Sequence, residues 1–140
     1  MNESGYKRKV TSDLKARGFS IQYHEDSYEN FIPDISFGAH GIDGWVEVKW
    51  LTEFPKTIDH IKHYTMGQQQ WLMNRGKAGS GMCYLLIGHP EIHMLWGWKS
   101  LADIRHIPWD AACMASDRMS GTVPGICAAL DAVVRTRAGG

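Results

Sequence analysis

Between Phe31 and Trp50 the chain reads FIPDISFGAHGIDGWVEVKW, an apolar, strand-like stretch interrupted by Asp34, Glu47 and Lys49. Two carboxylates and an ammonium are costly to desolvate unless they are paired or hold a cation. Side chains alternate between the faces of a strand, so Val46, Val48 and Trp50 share one face and Trp45, Glu47 and Lys49 the other. The first set suits a core. The second puts a carboxylate and an ammonium side by side, roughly 7 Å apart along the strand. If 31–37 and 45–51 pair as a hairpin, Asp34 comes alongside from the neighbouring strand, where Pro33 removes a ladder donor. Converging acids repel unless one is protonated or a divalent cation lies between them. Hard oxygen ligands select Mg2+ or Mn2+ over zinc. Such acids with a lysine beside them suit phosphodiester hydrolysis, in which charge builds on phosphate oxygens.

These side chains need elements to position them. Tyr6, Val10 and Leu14 recur at helical spacing before Gly18, which predicts a helix over 3–17 with Glu3 on the same inward stripe. Phe19, Ile21 and Tyr23 alternate with polar residues, as in a half-buried strand. A polar loop to Asn30 leads into the second strand, 31–37; GAHGIDG reads as a turn and 45–51 as the third strand. TEFPKTIDHIKHY lacks periodicity and reads as a loop or irregular edge. Thr65 and Gln68 have the spacing of a capping box, which opens a helix running to about Lys77. MCYLLIG is a buried strand, paired with IHMLWGW across an HPE turn. A short helix near 99–105 and a last helix over 124–134 follow, with 135–140 as a frayed tail. The order predicts one α/β domain over 1–140: a single mixed sheet with an αβββαβ core in about 1–97, and a helical C-terminal extension over about 98–134.

A chain of 140 residues holds one domain with a real core, and its 44% hydrophobic content excludes a largely disordered protein. No apolar run approaches the roughly 20 residues of a membrane span, and MNESGYKRKV lacks the apolar segment of a signal peptide, so a cytoplasmic location is expected. Cys83, Cys113 and Cys127 form no CxxC pair and read as free thiols. Fifteen basic and fifteen acidic residues cancel, so no global charge draws the chain to nucleic acid. Their distribution is uneven: Lys7, Arg8, Lys9, Lys15 and Arg17 make the first segment basic, and Glu25, Asp26, Glu29 and Asp34 form an acidic block. Phosphate binding must rest on local patches or on cations that the acids recruit.

Pro33-Asp34, twelve residues, then Glu47-Val48-Lys49 resembles the signature of the PD-(D/E)xK nuclease superfamily. TMGQQQWLMNRGKAG is similar to the T-x-x-Q-x-x-W-L helix and glycine-rich turn of its small phage and VRR-NUC-type members, and GWVEVKWL with the following FPK is similar to the segment around their catalytic strand. The resemblance covers about 1–96. It implies a Mg2+- or Mn2+-dependent DNA endonuclease, related to Holliday-junction resolvases, that acts as a homodimer on branched DNA, with neither a small-molecule cofactor nor a membrane partner. Asp34, Glu47 and the Val48 carbonyl would hold the metal, Lys49 would support the reaction, and Glu3 and Gln68 would complete the site. Glu3 otherwise serves the helix dipole, and Gln68 can cap its helix and face the site at once. Lys7, Lys9, Lys56, His60, Lys62 and His63 are the expected DNA contacts, although a plain polar loop accounts better for His60, Lys62 and His63. Asp43 and Asp59 could assist, Trp45 and Trp50 could stack on bases or fill the core, and His89 and His93 read as surface residues. Two other readings remain: cleavage of linear, flap or single-stranded DNA, and a non-catalytic DNA-binding module on the same fold.

Overall fold

The computed structural model of the chain describes residues 1–24 and 31–139, so the expected acidic block at Glu25, Asp26 and Glu29 lies outside the described residues. Helix α1 (Glu3–Ala16) opens on Asn2, whose side chain accepts the Gly5 amide at 2.8 Å. Strands β1 (Ser20–Tyr23), β2 (Ile35–Ala39) and β3 (Ile42–Trp50) follow, then a single 3-10 turn at Ile58–His60 and helix α2 (Met66–Ala78). Strands β4 (Cys83–Gly88) and β5 (His93–Gly97), helices α3 (Trp98–Leu101) and α4 (Trp109–Met114), strand β6 (Arg118–Ser120) and helix α5 (Val123–Gly139) complete the chain. The expected α/β class and single mixed sheet are found. Strand order is β1-β2-β3-β4-β5-β6, and only β3 and β4 run parallel.

The parallel pair is buried on both sides, so the sheet sits between two apolar layers. On one face α1 and α5 contribute Tyr6, Val10, Leu14, Ile126, Leu130 and Val134 against Val46, Val48 and Leu86. Each of these fully buried side chains contributes roughly 1.5–3 kcal/mol. On the other face Leu72, Ile58, Tyr64, Leu101 and Trp109 cover Leu85, Ile87 and Trp96. Every residue of β4 is buried, which matches its unbroken apolar run. No helix among the described residues is long and apolar enough to cross a membrane.

Where the elements differ from expectation, short-range causes are visible. Pairing of β2 with β3 begins at Ile35, after Pro33, because proline has no amide to extend the ladder. The hairpin closes in two residues, His40 (φ 55°) and Gly41 (φ 78°), a pair of left-handed positions of the kind that lets a tight turn follow the strand twist. Helix α5 continues to Gly139 where a frayed tail is expected, with Arg135 held by Asp131 and Arg137 donating to the Ser80 carbonyl. The C-terminal extension is not wholly helical, since β6 adds a sixth strand to the sheet through β5. His93 is no surface residue: it is 5% exposed and shares a 2.7 Å hydrogen bond with the buried Tyr6 hydroxyl, which needs that partner.

At Gly44 the β2–β3 hairpin leaves no room for a side chain. A Cβ there would lie 2.2 Å from Phe37 Cζ and 2.5 Å from the Met82 carbonyl oxygen, and the backbone contact cannot be relieved by a rotamer change. Gly44→Ala is therefore expected to destabilise the fold by roughly 1–3 kcal/mol, read as a lower urea midpoint. An unchanged midpoint would show that β3 and β4 separate here without cost.

Candidate active site

The site lies where β2 parts from β3. Ile35 pairs with Val46, so Glu47 to Trp50 run on beyond the start of β2, beside β4 alone. The fork is at the carboxyl ends of the parallel pair, where open α/β sheets commonly bind ligands. Glu47 and Lys49 sit opposite Leu85 and Ile87 on the face covered by α2. They are not on an open surface: Glu47 is 1% exposed and Lys49 4%. Lys49 Nζ lies 3.1 Å from Glu47 Oε2.

Asp34 closes the fork. Its backbone carbonyl accepts the His24 amide at 2.9 Å and its own amide donates to Glu47 Oε1 at 3.1 Å. The Asp34 carboxylate in turn accepts the Val48 amide on Oδ2 at 3.1 Å, which sets it beside the Val48 backbone. Lys7, projecting from α1, is 3.1 Å from Asp34 Oδ1. Glu3, one turn earlier on that helix, accepts the Trp50 amide at 3.4 Å. From the other side Gln68 fulfils both of its expected parts. Its Oε1 accepts the Thr65 amide and its own backbone amide donates to Thr65 Oγ1, while Nε2 donates to Glu47 Oε2 at 3.3 Å.

Together these residues line one cleft of about 370 Å³, with Glu3, Lys7, Asp34, Glu47, Lys49, His63, Thr65 and Gln68 as its polar residues. Burial, and then the charge of Asp34, push the Glu47 carboxyl up to about 7; Lys49 and the Asp34 amide pull it back only in part. That repulsion tests the fit of a divalent cation. Two carboxylates held together by the backbone, one of them reluctant to ionise, form an oxygen donor set that a hard cation would relieve. Among the described residues there is no group of three or more His, Cys, Asp or Glu placed to hold a metal. Asp34, Glu47 and the Val48 carbonyl are the donors this site can offer, with Glu3 at its margin.

Other expected residues are placed elsewhere. Lys9 is exposed in the groove between α1 and α5, and Lys56, His60 and Lys62 are exposed on the 52–64 loop without lining the cleft. His60 bonds the Thr57 hydroxyl instead. Asp43 sits at the far, hairpin end of β3, and Asp59 is held by Thr57 and His106. Trp45 packs against Trp71 and His24, and Trp50 against Tyr6, so both belong to the core layers. The C-terminal extension braces the loop that carries His63: the Trp109 amide donates to Lys56, the Asp59 amide to Arg105, and the Arg105 guanidinium to the Tyr64 carbonyl. Phe31 and Ile32 also line the cleft. Their position immediately before Pro33-Asp34 is the one signal in the sequence, and it has the pattern of plain strand. The chain matches no known family profile, and no curated protein matches it.

Proposed function

We propose that this chain is a divalent-metal-dependent endodeoxyribonuclease of the PD-(D/E)xK type. The observation that carries the reading is the convergence of Asp34, Glu47, Lys49, Gln68 and Glu3, from three separate elements and a loop, on one cleft. A buried ion pair packed against a second acid is a poor way to stabilise a core, because desolvation can exceed the attraction gained. A site that handles charge explains it. When bound, Mg2+ or Mn2+ would neutralise phosphate charge and lower the pKa of water. Asp34 and Glu47 would hold that ion; Gln68 fixes the Glu47 carboxylate through the helix cap. The Lys49 ammonium, fixed by Glu47, would stabilise charge developing on the phosphoryl oxygens. Lys7 offers a further cation at the cleft wall.

On substrate, the resemblance favours a homodimer that recognises DNA shape, and its two-fold axis suits symmetric nicking of a branched junction. A host cytoplasm would be its setting if a phage encodes it. The test is cleavage of a labelled four-way junction and the matching linear duplex, with Mg2+ and with EDTA. Paired, symmetric nicks on the junction, absent in EDTA, are expected. Equal cutting of both DNAs would keep the chemistry and discard junction selectivity. DNA binding without cutting, even in Mn2+, would leave a non-catalytic module.

A further inference from the structure

We infer that Phe31 is a stacking platform for an unpaired nucleobase at the mouth of the cleft, so that the enzyme takes DNA with a splayed or unpaired nucleotide next to the cut. This rests on the nuclease reading above. Phe31 lines the cleft with Asp34, Glu47 and Lys49, yet its large apolar side chain is 39% exposed. Its backbone is left-handed (φ 55°), which a bulky residue seldom adopts. Among the described residues only three non-glycines have positive φ: Phe31, His63 and His40. The hairpin turn accounts for His40, whereas the other two both line this cleft. Strain of this kind persists where surrounding structure enforces it, and it gathers at functional sites.

The ring has a close contact that holds its place. The ring lies against Gly67 in the first turn of α2, where an added Cβ would be 2.6–2.7 Å from three ring atoms. Glycine at that position is what lets the ring sit there. One side of Phe31 is thus backed by the helix, and the cations Lys7 and Lys49 line the same cleft for the backbone phosphate. Every base has a π-face, so an aromatic platform needs no particular sequence. In an intact duplex those faces are covered by neighbouring base pairs. Only a nucleotide freed at a branch, flap, bulge or end can use the ring.

The test is binding, in Ca2+, of a duplex carrying one bulged 2-aminopurine and of its fully paired counterpart. The wild-type protein is expected to prefer the bulged DNA and to quench the fluorophore by stacking. Phe31→Ala should reduce that preference on the order of tenfold and leave the fluorophore bright, and Phe31→Trp should restore both. Equal preference and quenching in wild type and Phe31→Ala would overturn the inference while leaving the nuclease reading intact. Failure of the wild type to bind either DNA would overturn both.

Discussion

Asp34→Asn is expected to lower metal-dependent DNA cleavage by about 10³-fold or more while leaving the metal-free fold close to wild-type stability at neutral pH. The two halves of that expectation come from the same geometry. Asparagine can still accept the Val48 amide, so the fork at the end of β2 keeps its shape. What disappears is the negative charge that, after burial, is the largest influence raising the Glu47 carboxyl. The lost contact with Lys7 is partly exposed and contributes about 0–1 kcal/mol. Lys49→Ala should behave differently. It leaves Glu47, 1% exposed, without the ammonium 3.1 Å away, so both activity and stability should fall. Cleavage rates and thermal melts on both variants check this. Cleavage by Asp34→Asn within tenfold of wild type would remove Asp34 from the reaction, whatever the melts show.

The residues of the site were legible where one period governs them. Strict alternation along β3 places Glu47 and Lys49 together, and the spacing of Thr65 and Gln68 anticipates both the helix cap and the contact to Glu47. Helix geometry also separates Lys7 from Lys9. Glu3 and Lys7 are four apart and share a face, whereas Lys9, two residues on, turns away, so the basic run is not one patch. Other features depend on partners distant in sequence. His93 is buried because Tyr6, 87 residues earlier, presents a hydroxyl to it. Strand β6 has three residues and is largely exposed, too short for any alternation to show. Two of the three bonds by which Arg105 and Trp109 brace the 52–64 loop join backbone groups, which leave no mark on side-chain pattern. Phe31 is the sharpest case: local propensity reads FIP as strand, whereas its backbone is left-handed and its ring lies over Gly67, 36 residues later.

Adding Mn2+ should raise the melting temperature more at pH 8 than at pH 6, and this difference should vanish in Asp34→Asn. In the metal-free protein Glu47 holds its proton to about pH 7, while in the unfolded chain it releases it near its ordinary value of 4.5. The folded state therefore binds more protons between those values. Its stability is fully present below about 4.5 and is lost as pH rises through 7, by roughly 3 kcal/mol at most. His93 acts in the opposite sense. Burial lowers its pKa, so its contribution is full above 6.5 and lost as pH falls through its folded value. Absolute melts superimpose the two trends, but the metal-induced shift separates them, since His93 is not among the groups lining the cleft. A cation must compete with the Glu47 proton, so its affinity rises with pH, and binding to the folded state alone adds stability by mass action. At pH 8 the carboxylate is already ionised and repelled by Asp34, and the ion both avoids that competition and removes the repulsion. A shift that is the same at both pH values, or that survives Asp34→Asn, would place the ion outside this cleft and take the chemistry of Asp34 and Glu47 with it.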